Sequence, residues 1–308
     1  MWDTEVDVAV IGAGIGGLAT AIATVDAGGE VVVVDARPSV RGDAAPGALR
    51  ERVAAKHGLL LPDTLDVETN EYLAALVEGV PTDGLRDATV PRRSARNLSK
   101  EEVDRRFVEP FVGSRLNGWA TKCIASPYGL LYTSMRDWRT TTMRSTDGES
   151  IEVMSVGTVD WADGSGEEVL REWVTDQARQ HDIDVQTGSA LQRIVFEEGA
   201  VVGVVLSTPE GPFAVRTRAG VTLSPHGQDP VSDERADVVA GDRLQVCLVG
   251  RTASRFGRVE LLATVPAAVR PTCTGSRRQF RKGMHEARQP SLESWRCGKV
   301  HGYTAFGQ

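Results

Sequence analysis

Asp7-Val-Ala-Val-Ile-Gly-Ala-Gly-Ile-Gly-Gly17 runs into Leu18-Ala-Thr-Ala-Ile-Ala-Thr-Val-Asp-Ala-Gly28 and then into Val31-Val-Val-Val-Asp35, and these residues decide the fold. A β-branched run ends in a glycine cluster, and the glycines open a helix of small residues that stops at Gly28. The next apolar run ends on an acid. Strand, turn, helix and strand in this order form a βαβ unit, and the glycine spacing is that of a dinucleotide-binding turn. Each residue type has a mechanical reason. Gly12 permits the tight turn, Gly14 lets the backbone approach a pyrophosphate, and Gly17 lets helix and strand pack closely. The helix N-terminus offers unpaired N–H groups and a positive dipole end to phosphate. Asp35 lies eighteen residues after Gly17, close to the roughly 20 expected of the acid that grips a ribose hydroxyl.

Bulk properties bound what can surround this unit. A chain of 308 residues holds about two domains or one large α/β domain, and 41% apolar with 25% charged residues is ordinary for a soluble globular protein. The net charge of −7 argues against nucleic-acid binding, so none is expected. No stretch is long and apolar enough to span a membrane. Met1-Trp-Asp-Thr-Glu5 lacks the basic start of a signal peptide. Cys123, Cys247, Cys273 and Cys297 are scattered without a CxxC, which reads as reduced thiols in a cytoplasmic protein with no metal site. From Arg270 onward basic residues outnumber acids and apolar periodicity fades, the pattern of a solvated, poorly ordered tail.

Further along, the spacing predicts short helices over Ala48 to His57 and over Glu68 to Gly79, the second with Tyr72, Leu73, Leu76 and Val77 on one face. Ser99-Lys-Glu-Glu102 is a capping box that starts a helix running towards Glu109. The basic, apolar-poor Pro91-Arg-Arg-Ser-Ala-Arg96 reads as a loop. Between Phe111 and Trp161 aromatics are dense, and Leu130–Tyr132 and Ile151–Val156 read as strands whose aromatics are either core or the lining of a substrate cavity. A second capping box, Ser165-Gly-Glu-Glu168, opens a helix that buries Val169, Leu170, Trp173, Val174 and Ala178. A short strand over Ile183 to Gln186 follows. Leu191–Phe196, the turn Glu197-Glu-Gly199 and Val201–Leu206 make a β-hairpin, and Phe213–Arg218 with Val221–Leu223 returns towards the sheet.

These two blocks together resemble FAD-binding proteins built like glutathione reductase. Within them they are most similar to the group of fumarate reductase and succinate dehydrogenase flavoproteins and 3-ketosteroid dehydrogenases. The doubled glycine Gly16-Gly17, the Val201-Val-Gly-Val204 hairpin behind its helix, and Ala219-Gly-Val-Thr-Leu223 carry the likeness. The resemblance implies an α/β fold: a Rossmann-like FAD-binding domain with a central parallel sheet, an antiparallel β meander and an irregular α+β insertion. It implies FAD, with the pyrophosphate along Gly12, Ala13, Gly14, Gly16 and Gly17, the adenosine ribose at Asp35, Ala36 and Arg37, and the adenine against the backbone near Leu191. The expected organisation is a βαβ part over 1–47, an inserted substrate-side region over 48–160, a return to the FAD domain over 161–265 and the basic tail over 266–308. Four family features differ: Arg41-Gly-Asp-Ala-Ala-Pro-Gly47 only partly echoes the glycine-rich loop after the second strand, the return strand ends in Leu223-Ser-Pro-His-Gly227 rather than an Ala-Thr-Gly-Gly turn, no late segment matches the one that approaches the flavin ring, and no separate capping domain is evident.

In a flavin enzyme the cofactor performs the redox step and the protein positions substrate and tunes charge. The residues offered for substrate activation are Tyr128, Tyr132 and Arg136 as a compact set, and His226 where the return strand points at the cofactor. The expected reaction is oxidation or reduction of a small, apolar or carbonyl-conjugated molecule, with an electron donor or acceptor that the sequence does not identify. Two other readings fit part of the same pattern. A nicotinamide-dependent dehydrogenase would use Asp35 on its own ribose diol. A truncated nucleotide-binding relative without catalytic activity would account for the missing late segment.

Overall fold

The computed structural model describes residues 1–36, 65–80, 90–104, 113–124, 126–134, 140–161, 166–224 and 242–264. All of these lie in one compact unit, Met1–Ala268. The first half of the chain contains β1 (Thr4–Ile11), α1 (Ile15–Asp26), β2 (Val31–Asp35), α2 (Val67–Leu76), β3 (Arg92–Asn97), α3 (Lys100–Asp104), α4 (Gly113–Ile124), β4 (Gly129–Tyr132), β5 (Thr141–Ser145) and β6 (Ser150–Trp161). Then follow α5 (Glu167–Gln180), β7 (Val185–Thr187), β8 (Ala190–Glu197), β9 (Ala200–Thr208), β10 (Gly211–Leu223), β11 (Asp242–Gly250) and β12 (Phe256–Thr264). The expected helix over Ala48 to His57 and the basic tail lie outside the described residues.

The βαβ unit forms as the sequence predicts. β2 pairs in parallel with β1 from Val8↔Val31 to Ile11↔Val34. β10 lies parallel on the other side of β1, and β7 lies parallel outside β2. Four parallel strands therefore end at one edge, and their apolar runs are covered on both faces, as a parallel sheet requires. On one face α1 is buried from Ile15 to Thr24 and packs against α5. The buried hydroxyls of Thr20 and Thr24 donate back to the carbonyls of Gly16 and Thr20, at 3.0 and 2.9 Å. On the other face α2, capped by Asp66, lays Tyr72, Leu73 and Leu76 on the meander β8–β9–β10. Thr69 fixes it there by accepting from Ile194 N at 2.8 Å.

The hairpin between β8 and β9 turns on Glu198 and Gly199, both at positive φ, the geometry that two-residue hairpin loops demand. The two runs read as separate pieces of the return strand are one strand, β10, with a register shift opposite Val6 to Val8. The capping box at Ser99 is present: Glu102 N donates to Ser99 Oγ at 3.3 Å and Ser99 N to Glu102 Oε2 at 2.8 Å. The second box differs. Gly166 is the N-cap of α5, without a side-chain bond, and Glu167 turns inward to an ion pair with Arg171 one turn along.

The larger correction concerns Pro91–Arg96, expected as a loop. It enters the sheet as β3, parallel to β12 and antiparallel to β5. β11 and β12 have no counterpart among the expected elements, and neither does α4. The pairings β11–β6, β6–β5, β5–β3, β3–β12 and β12–β11 close a ring of five strands beside the parallel sheet. Arginines can occupy β3 because each has a partner. Arg92 lies over the Trp161 ring, and Arg96 makes a two-pronged bond to Glu102 at 2.7 and 2.9 Å. Arg93 bonds Glu260, which is fully buried and also receives Arg258 at 2.7 Å. Trp119 of α4 sits between Arg251 and Arg258, 5.3 and 5.4 Å from its ring, and donates to the Phe256 carbonyl at 2.8 Å. Trp119, Tyr128 and Trp161 are thus core residues. No described helix is long and apolar enough to cross a membrane.

Two predictions follow from this packing. Glu260→Gln leaves two nearly buried guanidiniums facing a neutral amide, and should lower stability by about 3 kcal/mol; urea unfolding measures it, and a loss below about 1 kcal/mol would show the carboxylate to be dispensable. The second concerns His181, which follows α5. Its Nδ1 faces the Gln177 carbonyl at 2.7 Å and its Nε2 faces Asp26 of α1 at 2.9 Å. A neutral imidazole donates only once, so the charged ring satisfies both acceptors. Its pKa is raised from 6.5, chiefly by the Gln177 carbonyl, with burial opposing and Asp26 adding to the rise. A raised folded pKa means that the clasp stabilises fully below the unfolded value and is lost as pH rises through the folded one. The stability gap between wild type and His181→Gln should therefore be widest on the acid side of 6.5 and close above the folded pKa; unfolding curves across pH test this, and a pH-independent gap would contradict it.

Candidate dinucleotide site

The site lies where the parallel strands end. Gly12, the first residue beyond β1, has φ +101° and donates to the Val34 carbonyl at 2.8 Å. A Cβ on Gly12 would overlap the carbonyl oxygen of Ser224, just beyond β10, and a Cβ on Gly17 would overlap the carbonyl oxygen of Gly12. The tight turn and the close helix–strand contact expected of these glycines are both present. Gly16 has a role of its own: a Cβ there would stand 2.9 Å from a Leu130 methyl and 3.1 Å from the Gly129 carbonyl, so the doubled glycine also seats β4.

Gly14 is the N-cap of α1, in extended conformation and without a capping side chain, and Ala13 beside it is half-buried. Leu18 N donates to Gly14 O at 2.9 Å, which closes the first helical turn. Gly17 N donates to Ser224 Oγ at 3.1 Å. The first N–H groups of a helix have no partner within it, so Ile15 and Gly16 present donors at the positive end of the dipole. That is the chemistry of a phosphate cradle.

Asp35 closes the other side. It follows Val34, the residue bonded to Gly12, and its own carbonyl accepts from Ser189 N at 3.1 Å. Its side chain is largely covered and Ala36 is exposed. Leu191, two residues beyond Ser189, is buried opposite Leu206 in the β8–β9 ladder. The glycine turn, Asp35 and the start of β8 thus converge on one edge, although they are far apart in sequence. Arg37, Arg136 and His226 lie outside the described residues. Tyr128 is fully buried against the α1 layer. Tyr132 pairs with Thr222, level with Val10 rather than with the glycine turn. It lines a cavity of about 290 Å³ with Ser134, Glu152, Met154, Leu248 and Arg251. Burial pushes its hydroxyl pKa well up, with a nearby Cys123 adding to the rise and a bond with Thr20 opposing it, so the hydroxyl stays protonated at neutral pH. Cys123 and Cys247 are buried and free, and burial pushes the Cys247 thiol up to about 12. Among the described residues no His, Cys, Asp or Glu cluster can hold a metal.

Residues 10–74 match the model of an NAD(P)-binding Rossmann-like domain, in agreement with the fold and with the glycine turn. The described βαβ unit within this stretch has the Rossmann-like arrangement. Comparison with curated protein sequences gives no significant match. Similar solved structures include a 3-ketosteroid dehydrogenase from Rhodococcus jostii, at 19% identity and TM-score 0.29, covering 72% of this chain and 46% of that one. Another is a geranylgeranyl bacteriochlorophyll reductase-like protein from Thermoplasma acidophilum, at 12% identity and TM-score 0.28, with coverages of 70% and 38%. A third is a quinol fumarate reductase from E. coli, at 15% identity and TM-score 0.28, with coverages of 72% and 32%. The chain spans less than half the length of each of these structures.

Two glycines separate backbone strain from steric overlap. Gly28 also has positive φ, at +81°, but a methyl there would meet nothing within 4 Å. Gly28→Ala should cost about 1 kcal/mol, the strain of a left-handed alanine. Gly12→Ala adds the collision with Ser224 and should cost about 1–3 kcal/mol more. Urea unfolding of both variants checks the difference; equal losses would mean that the turn is not packed against β10.

Proposed function

We propose that the chain is an FAD-dependent oxidoreductase acting on a small, apolar or carbonyl-conjugated substrate. The observation that carries this reading is the convergence of the α1 N-terminus, Asp35 and the start of β8 on the edge of the parallel sheet. The residues fit the adenosine and pyrophosphate half of FAD. The backbone N–H groups of Ile15 and Gly16 would hold phosphate oxygens, with Gly14 and Ala13 keeping the approach open. The Asp35 carboxylate would accept from the ribose hydroxyls, flanked by Ala36 and Arg37, and the backbone near Leu191 would border the adenine. Bound FAD supplies two-electron redox chemistry.

The protein's share is to bind, orient and exclude water. Of the side chains considered for substrate activation, Tyr132 is the one that borders a cavity among the described residues. The closing partner of the redox cycle is an electron donor or acceptor of unassigned identity, and a small molecule rather than a nucleic acid or a membrane is the substrate. A second reading, a nicotinamide-dependent dehydrogenase, is favoured by one observation, the match of residues 10–74 to an NAD(P)-binding domain model. The hairpin block resembling flavoproteins supports FAD.

The visible spectrum distinguishes these readings. The purified protein, incubated with FAD and desalted, should retain flavin absorbance, and Asp35→Ala should weaken FAD affinity by about tenfold or more, since a charge-assisted bond is worth about 1.5–3 kcal/mol. A colourless protein that instead binds NAD would favour the second reading. Unchanged affinity in Asp35→Ala would show that the ribose lies elsewhere.

A further inference from the structure

We infer that Ser224 is a positioning residue of the dinucleotide site, resting on the reading above: its hydroxyl replaces, from across the sheet, the N-cap side chain that Gly14 lacks. Helices favour Ser, Thr, Asp or Asn at the N-cap because the side-chain oxygen accepts an orphan N–H of the first turn, at the second or third helical residue. α1 has glycine at that position and no side-chain cap. The orphan at its third residue, Gly17 N, is taken by Ser224 Oγ at 3.1 Å, from 207 positions later in the chain.

Ser224 holds the turn at three points. Its N–H donates to the Ile11 carbonyl at 2.9 Å, carrying the β1–β10 ladder one residue past β10. Its carbonyl oxygen fills the space beside Gly12. Its hydroxyl fixes the helix that follows. A side chain at Gly14 supplying the same cap would stand where the phosphates approach, so the cap must come from another strand. The donors of the first turn are divided accordingly: Gly17 N serves the protein, while Ile15 and Gly16 are left for the ligand. Fixing this geometry before the ligand arrives removes an ordering cost from binding. The serine belongs to Leu223-Ser-Pro-His-Gly227, the segment in which this chain departs from the family's return-strand turn.

The test compares Ser224→Ala and Ser224→Thr with wild type, reading FAD affinity by flavin fluorescence and, in the ligand-free protein, hydrogen exchange at the Gly17 amide. Ser224→Ala should weaken FAD binding about five- to tenfold and speed exchange at Gly17, and Ser224→Thr, which keeps the hydroxyl, should restore both. Wild-type binding together with unaltered affinity in Ser224→Ala overturns the positioning role alone, even if the variant is less stable. A wild-type chain that takes up neither FAD nor NAD overturns the dinucleotide reading and the positioning role with it.

Discussion

The carbonyl of Ser224 occupies the space beside Gly12, and the carbonyl of Gly12 in turn occupies the space beside Gly17. This chain of backbone contacts ties β10, β1 and α1 together at one point, and it tolerates only glycine at two of its links. The edge of the parallel sheet is organised from there. With Gly12 N bonded to Val34 O, the end of β2 is drawn alongside the turn, and Asp35 follows with Ser189 bonded to its carbonyl. The donors of the helix N-terminus and the Asp35 carboxylate proposed to bind a ribose are therefore placed by main-chain bonds rather than by flexible side chains, which suits a site that must be preorganised.

The second part of the described structure is held by different physics. Its five-stranded ring carries arginines where a sheet usually carries apolar side chains. Glu260, fully buried, accepts from Arg93 and Arg258, and the indole of Trp119 lies between Arg258 and Arg251. Charge pairing and cation–π contact do the work that alternating hydrophobes do elsewhere. The ring meets the parallel sheet through β4, which pairs with both β10 and β12. Tyr132, at the end of β4, lines a cavity at this junction.

How much of this the sequence discloses depends on how local the cause is. The βαβ unit, the capping box at Ser99 and the hairpin at Glu198-Gly199 are written in neighbouring residues, so they read correctly. β3 is not. Arg93 makes sense as a strand residue only beside Glu260, 167 positions away, and no periodicity signals that pairing. The cap of α1 is invisible for the same reason, since the hydroxyl that satisfies Gly17 arrives from Ser224. The candidate site divides in the same way: the glycines and Asp35 announce themselves by spacing, whereas Ser224 had only its place at the end of the return strand to mark it. The second box is a different case: Ser165 lies outside the described residues, while Gly166 precedes α5 without a side-chain cap and Glu167 pairs with Arg171.

Binding of a dinucleotide at the edge where β1, β2 and β10 end can be read from backbone amide resonances followed during an FAD titration. The largest shifts should fall on Gly12 to Gly17, with Asp35, Ala36 and the residues around Leu191 next, while the five-stranded ring changes little. Shifts concentrated in the ring, or amides from Gly12 to Gly17 that stay unchanged at saturating FAD, would contradict it.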